Sequence, residues 1–127
     1  MRSAIEKKDI ILKSKGLTER SYLYTSDAVS AIILCAIQGK PGEAYSLANP
    51  DTYIAINDMA KMVAKDIAGG EIKVRYDIAE NIEKLGYAST LFMDLDISKL
   101  RKLGWEPTVG LIEAYRRLIR YFVDGEE

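Results

Sequence analysis

The sequence contains no histidine and only one cysteine among its 127 residues. Without histidine, a Ser-His-Asp triad, a Cys-His catalytic pair and any histidine-ligated metal site are excluded. A single cysteine can form neither an internal disulfide nor a zinc-binding cysteine cluster. Because Cys35 lies in the apolar run 31–37, we interpret it as a small buried apolar residue in a reducing compartment, not as a nucleophile.

Excess charge and long apolar runs are also missing. The 18 basic and 19 acidic side chains leave a formal net charge of −1, which gives no long-range attraction to nucleic acid or to an anionic membrane. The run 31–37 is far shorter than the ~20 residues of a membrane span, and no signal-peptide pattern opens the chain. We therefore expect a soluble, cytoplasmic protein that binds no nucleic acid and no membrane. Its length suits a single domain over residues 1–127.

The phosphate-binding loops of dinucleotide-dependent enzymes are missing as well. Gly39 and Gly42 have the spacing of two members of a Gly-x-x-Gly-x-x-Gly loop, but Tyr45 stands at the third position. None of the eight tyrosines is followed four residues later by lysine, so the sequence has no Tyr-x-x-x-Lys pair. We therefore expect no catalytic residue, no resident cofactor and no metal site in this chain.

Apolar periodicity predicts a small mixed α/β fold with few short strands and about four helices. Residues 1–8 resemble the end of a further helix, and Ile82 and Leu85 are compatible with one helical turn before Gly86. The predicted helices cover 25–38, 56–67, 97–103 and 110–123, and the predicted extended segments cover 9–13, 20–24, 43–48, 72–76 and 92–95.

Helix ends and faces follow from the same pattern. Thr25 or Ser26 is predicted to cap the helix over 25–38, and Gly39 is predicted to end it in a left-handed conformation. Asp96 is predicted to cap the helix over 97–103. For the last helix we predict an apolar inner stripe and a basic, solvated outer face. The stripe consists of Leu111, Ile112, Tyr115, Leu118, Ile119 and Phe122, and the basic face of Arg116, Arg117 and Arg120.

The most informative polar cluster is the octet 20–27, Arg-Ser-Tyr-Leu-Tyr-Thr-Ser-Asp. In an extended chain Arg20, Tyr22 and Tyr24 share one face, which puts a guanidinium beside stacking rings. Guanidinium groups bind phosphate through paired hydrogen bonds, each worth about 1.5–3 kcal/mol. One arginine could therefore decide the affinity for a diphosphate. The alternative is a surface Arg20 that pairs with Glu19 or Asp27.

At this octet the sequence resembles the extended short-chain dehydrogenase/reductase family, the NAD-dependent nucleotide-sugar epimerases and dehydratases. That family has a glycine turn, then Arg-x-aromatic-x-Tyr-Val-x-Asp before an apolar helix, which 14–16 and 20–27 match with threonine in place of valine. Three more segments follow in family order. They are 42–48 for Gly-x-x-Tyr-Asn-x-Ala, with Ser46 replacing asparagine, 56–60 for a helix opening, and 96–107 for Asp-x-Ser-Lys-x-x-x-Leu-Gly-Trp-x-Pro.

The resemblance implies that this chain is the C-terminal substrate-binding domain of such an enzyme. It implies that the N-terminal Rossmann domain, the Ser/Thr-Tyr-Lys catalytic residues and NAD belong to a missing half, so that the fragment alone is inactive. The partners it implies are a nucleotide-diphosphate sugar and that Rossmann half. Because a half-enzyme exposes surface that its other half would cover, we also expect self-association through the cut face.

Site residues are carried over from the same resemblance. It implies that Arg20, beside Tyr22, contacts the nucleotide diphosphate in a cleft that the missing half completes. It also implies that Ile11, Leu12 and Lys13 lie against the base, although ordinary strand packing is an equal alternative for the first two. The family's Arg-x-Gly-Asp stretch is replaced by 77–88, so the second phosphate contact stays unassigned.

Other functions stay open at this point. One is a non-catalytic protein-interaction module that uses the basic face of the last helix, and another is a scaffold domain of a redox enzyme with a non-nucleotide substrate. The sequence does not distinguish the sugar, the nucleobase, or epimerase from dehydratase chemistry.

Overall fold

A computed structural model describes residues 1–78 and 90–124. In these residues the chain forms five helices: α1 (Arg2–Ile5), α2 (Thr25–Gln38), α3 (Ile56–Met62), α4 (Ser98–Lys102) and α5 (Leu111–Asp124). Five short strands accompany them: β1 (Ile10–Leu12), β2 (Glu19–Arg20), β3 (Ile54–Ala55), β4 (Val74–Tyr76) and β5 (Phe92–Met93). The predicted mixed α/β class is confirmed. The helical turn predicted around Ile82 and Leu85 lies outside the described residues.

The strands form two small sheets. In the first, β1 pairs with β4 in parallel, with Ile10 opposite Val74. In the second, β2 is the middle strand, antiparallel to β3 and parallel to β5. Arg20 is opposite Ile54 on one side and Met93 on the other. Its backbone is therefore fixed by neighbours on both flanks.

The main core lies between α2 and α4. Ala31 of α2 and Leu100 of α4 are fully buried, and Ala48, Ile97 and Trp105 complete the cluster. Cys35 packs at its edge and is partly buried, as expected of an apolar packing residue.

The helix predicted over 56–67 is present. α3 continues as a π-helical turn, Val63–Ile67, and Gly69 and Gly70, with φ of +63° and +80°, end it. Consecutive positive φ angles are conformations that glycine adopts most readily.

Two predictions about α2 are wrong. The helix begins at Thr25, but its cap position is Tyr24 and no side chain there donates or accepts a capping hydrogen bond. Gly39 is extended, with φ −67° and ψ 146°, and its N–H still donates to the Cys35 carbonyl at 2.8 Å. The helix therefore ends without a left-handed residue.

The strand predicted over 43–48 is wrong. These residues are all described and pair with no described strand, and Ala48 lies in the core with Tyr45 and Leu47 packed against it. Of the extended segment predicted over 20–24, only Arg20 belongs to a strand, β2.

The inner stripe predicted for α5 is only partly buried. Ile112, Leu118 and Phe122 are 38%, 40% and 47% exposed. The helix packs mainly against the π-helical turn after α3, which is shorter than α5 and leaves part of the apolar stripe uncovered. Among the described residues, no helix combines the length and the apolar character needed to cross a membrane.

Candidate functional site

Arg20 lies on the middle strand of the second sheet with an exposed side chain. It makes no hydrogen bond or ion pair with any residue that the structure describes. Both intramolecular partners considered from the sequence are engaged elsewhere. Asp27 binds Thr108 and Val109. Glu19 lies next to Tyr53, where burial and then the hydrogen bond and charge of Glu19 raise the pKa of the tyrosine hydroxyl. Neither of these carboxylates therefore pairs with the guanidinium of Arg20.

The chain after Arg20 is held by a buried threonine. Thr52 is 4% exposed; its Oγ1 accepts from the Tyr22 N–H at 2.7 Å and lies 2.6 Å from the Tyr22 carbonyl oxygen. Thr52 belongs to a 3₁₀ turn, Pro50–Thr52, that Asn49 caps by accepting from the Asp51 N–H at 3.1 Å. This contact explains why the strand pairing stops at Arg20, because the N–H of Tyr22 donates to the Thr52 side chain and not to a neighbouring strand.

A groove of about 280 Å³ lies between the octet and α5. Tyr22, Tyr24 and Tyr115 are among its lining residues, whereas Arg20 is not. The guanidinium of Arg117 lies over the Tyr24 ring, 5.4 Å from its centroid, in the range of a cation–π contact. The structure therefore brings the two tyrosines of the octet together and leaves Arg20 outside their groove.

The three residues predicted to face the base lie on or directly after β1, in the other sheet. Ile11 is 56% exposed, Leu12 is half-buried, and Lys13 forms an ion pair with Asp77. The connection from β1 to β2 passes through Gly16, whose carbonyl accepts from the Asn57 N–H at 3.0 Å. This turn anchors the chain between the two groups of predicted site residues against the start of α3.

Asp27, at the end of the octet, has a larger role than the sequence indicated. It is 4% exposed and accepts three hydrogen bonds, from Thr108 N at 3.0 Å, Thr108 Oγ1 at 2.7 Å and Val109 N at 2.9 Å. Burial opposes its ionisation, but these hydrogen bonds prevail, and the pKa of Asp27 is lowered. The sequence analysis considered Asp27 as the end of the octet and as a possible partner of Arg20, because no local signal points to a partner 81 residues away.

Basic residues on α5 are largely paired. Glu113 contacts Arg117 at 2.8 Å and Arg120 at 3.6 Å. Arg116 lines a second groove, of about 590 Å³, together with Thr52 and Ile54. In the described part of the chain, no cluster of three or more cysteine, aspartate or glutamate residues is arranged to hold a metal ion.

Comparisons with known proteins agree on one fold. No protein-family model matches the chain. Human dTDP-D-glucose 4,6-dehydratase is 25% identical over 113 residues, a match that covers 87% of this chain and 31% of that protein. The structure of UDP-glucose 4-epimerase with UDP-glucose from Thermotoga maritima has a TM-score of 0.79 and 24% identity, covering 98% of this chain and 38% of that one. The structure of dTDP-glucose 4,6-dehydratase with NAD from Bacillus anthracis has a TM-score of 0.75 and 18% identity, with coverages of 98% and 38%.

The chain has the fold of the C-terminal portion of the extended short-chain dehydrogenase/reductases. The resemblance predicted from the four motifs is thereby confirmed. The chain spans about a third of the length of the curated relatives it matches.

Three of the four family motifs meet in space. Ala48, which ends the second motif, packs in the same core as Leu100 and Trp105 of the last motif. Trp105 also donates from Nε1 to Ser30 Oγ at 2.9 Å, just beyond the octet. Asp27, which ends the octet, binds the backbone that follows the last motif. Motifs that the short-chain dehydrogenase/reductase pattern places far apart in the sequence therefore contact one another in the fold.

Proposed function

We propose that this chain is the C-terminal substrate-binding domain of an NAD-dependent epimerase or dehydratase and that Arg20 binds the diphosphate of a nucleotide sugar. The observation that carries the proposal is the exposed guanidinium of Arg20, which is unpaired among the described residues while its backbone is fixed between β3 and β5. A fixed backbone reduces the conformational freedom lost on binding. The structural neighbours solved with UDP-glucose and with NAD support the choice of ligands.

The role of the chain in this proposal is positioning. The two parallel N–H groups of a guanidinium fork match two phosphate oxygens. Held there, the nucleotide end would direct the sugar toward a Rossmann half supplied by polypeptide outside residues 1–127, which is the proposed partner. NAD bound to that half would accept a hydride as a sugar hydroxyl is oxidised to a ketone. Fixing the reacting carbon near the cofactor is itself a large catalytic contribution.

The remaining predicted residues have secondary parts in the proposal. Ile11, Leu12 and Lys13 on and after β1 would lie against the base, and Tyr22 would border the diphosphate from the edge of its groove. A domain that spans residues 1–127 and a cytoplasmic location belong to the same proposal.

The interaction-module alternative is less favoured by the structure. Its basic face on α5 is partly neutralised because Glu113 pairs with both Arg117 and Arg120. Only Arg116 of the three arginines has no carboxylate partner among the described residues.

Titration of uridine diphosphate and thymidine diphosphate into the chain, followed by calorimetry, tests the proposal. Loss of one or two charge-assisted hydrogen bonds in Arg20→Ala should weaken binding roughly ten- to a hundredfold. Arg75→Ala is the matched control, since Arg75 is an exposed strand arginine that pairs with Asp9, and its affinity should equal that of the wild type. Equal affinities for the wild type and Arg20→Ala would remove Arg20 from the site. A wild-type chain that binds neither nucleotide would refute direct binding.

A further inference from the structure

A third groove, of about 450 Å³, lies between β4 and the helical segment formed by α3 and its π-helical turn. Lys61 and Lys65 of the helical segment and Lys73, just before β4, are among its lining residues. The described residues that line it include no aspartate or glutamate, whereas the groove of about 590 Å³ at α5 combines one arginine with two carboxylates. We call this third site the lysine groove.

The positive charge of the lysine groove is only partly neutralised. Lys61 pairs with Asp58 at 2.7 Å, but Lys65 and Lys73 form no ion pair within residues 1–78 and 90–124. Asp9 accepts from the backbone N–H of Lys73 at 2.9 Å, and its carboxylate is paired with an arginine on β4. Lys61 and Lys65 lie about one helical turn apart, where like charges repel each other. An anion bound between the lysines would relieve this repulsion.

Apolar surface and an aromatic ring complete the lysine groove. Ile72 and Ala64 are among its lining residues and are 3% and 7% exposed. Tyr76 also lines it and is 48% exposed. An exposed ring beside buried apolar residues is suited to stack on a flat ligand. The groove therefore combines positive charge with a surface for an aromatic group.

We propose that the lysine groove binds a small phosphate ester that carries several negative charges and an aromatic ring, the chemical class of the nucleoside triphosphates. Ammonium groups bind phosphate as point charges and do not need the fixed geometry of a guanidinium fork, which suits exposed lysines. Tyr76 stacks on the ring of the ligand. Because the lysines are exposed, each contact is weak, and we expect a Kd of roughly 0.1–1 mM at low salt. Arg20 lies in the other sheet, so the two sites are separate.

Titration of ATP, without divalent metal, into the ¹⁵N-labelled Arg20→Ala chain tests the proposal by amide NMR. This background removes the diphosphate contact proposed above. The amide signals of residues 70–76 should shift and saturate, and the affinity should fall as salt is added. Lys65→Gln combined with Lys73→Gln should weaken ATP binding roughly tenfold.

Two controls separate the groove from general charge. Lys15→Gln combined with Lys40→Gln removes the same charge from exposed positions outside the groove and should change the affinity by less than about twofold. Tyr76→Ala should weaken the binding of ATP but not that of inorganic tripolyphosphate, which has no ring to stack.

Three results would overturn the proposal. They are ATP-dependent shifts that leave residues 70–76 unchanged, equal losses of affinity in the two double lysine variants, and tripolyphosphate binding as tight as that of ATP. The change at Lys65 and Lys73 should leave the affinity of the Arg20 site for uridine diphosphate unchanged. Failure of the lysine groove and failure of the Arg20 site can therefore be told apart.

Discussion

Replacement of Asp27 by alanine is the sharpest test of how the octet is held. The carboxylate accepts hydrogen bonds from the N–H groups of Thr108 and Val109 and from the Thr108 hydroxyl. It thereby joins the first turn of α2 to the segment that leads into α5. Alanine would leave both N–H groups without this acceptor in a region where Val109 is only 5% exposed.

The expected loss of stability follows from those two donors. A buried polar group that loses its partner costs about 1–3 kcal/mol. Only the Val109 N–H is buried, since Thr108 is exposed and its N–H can bind water, so Asp27→Ala should lower the free energy of unfolding by roughly 2–3 kcal/mol. This is a large part of the roughly 5–15 kcal/mol of an ordinary domain. The Thr108 hydroxyl adds less, because it can rotate toward another acceptor.

The pH dependence gives a second signature. Burial works against the charged form of Asp27, yet its hydrogen bonds lower the pKa below the ordinary value of 3.8. A carboxyl with a lowered folded-state pKa stabilises the fold above its unfolded pKa, and this contribution is lost as the pH falls through the folded value. The stability difference between the wild type and Asp27→Asn should therefore be largest near neutral pH and shrink below about pH 4.

Urea unfolding monitored by circular dichroism measures both effects. Asp58→Ala is the matched control, because Asp58 is the third residue of α3, as Asp27 is of α2, and its exposed carboxylate pairs with Lys61 at 2.7 Å. Loss of a helix-dipole contact and a surface ion pair should cost at most about 1 kcal/mol. Equal losses in the two variants, or a difference for Asp27→Asn that does not vary with pH, would refute the reasoning.

Two further substitutions test the packing around the site. Gly16→Ala should destabilise the chain by more than Gly42→Ala, because both glycines have positive φ but only at Gly16 would a Cβ meet an atom, the Asn57 nitrogen at 2.8 Å; equal urea midpoints would contradict this. Trp105→Phe should lower the free energy of unfolding by about 1–3 kcal/mol, since it removes the hydrogen bond to Ser30 and part of a buried ring. A thermal midpoint unchanged from the wild type would show that neither contact contributes.

The helices could be predicted well because their signals are local. Helical packing depends on residues three and four positions apart, so the apolar stripe of 56–67 identifies α3 with its π-helical extension. For α2, the apolar run 31–37 between Thr25 and Gly39 marks the helix. The end of α2 was less predictable. Gly39 favours a left-handed stop in isolation, but the chain leaves α2 in an extended conformation, and no local pattern distinguishes the two.

Strands were harder to predict because their partners are remote. β2 pairs with β3, and with β5 more than 70 residues along the chain. The alternating pattern of 20–24 indicates an extended chain, but it does not show that Thr52 takes the N–H of Tyr22 and ends the pairing. Segment 43–48 has the composition of a strand, yet its backbone pairs with no strand in the described part of the chain, and its contribution to the fold is the packing of Tyr45, Leu47 and Ala48 in and against the core.

The octet itself shows where sequence reasoning stops. Its residue types and family resemblance are enough to nominate Arg20, but its conformation is fixed by groups outside it. Thr52 holds the chain at Tyr22, and the 108–109 backbone holds it at Asp27. Because these contacts span 30 residues or more, the motif transferred alone to another scaffold would not keep its shape. The direction in which Arg20 points is therefore a property of the whole fold, and the Asp27 and Arg20 variants test two parts of one arrangement.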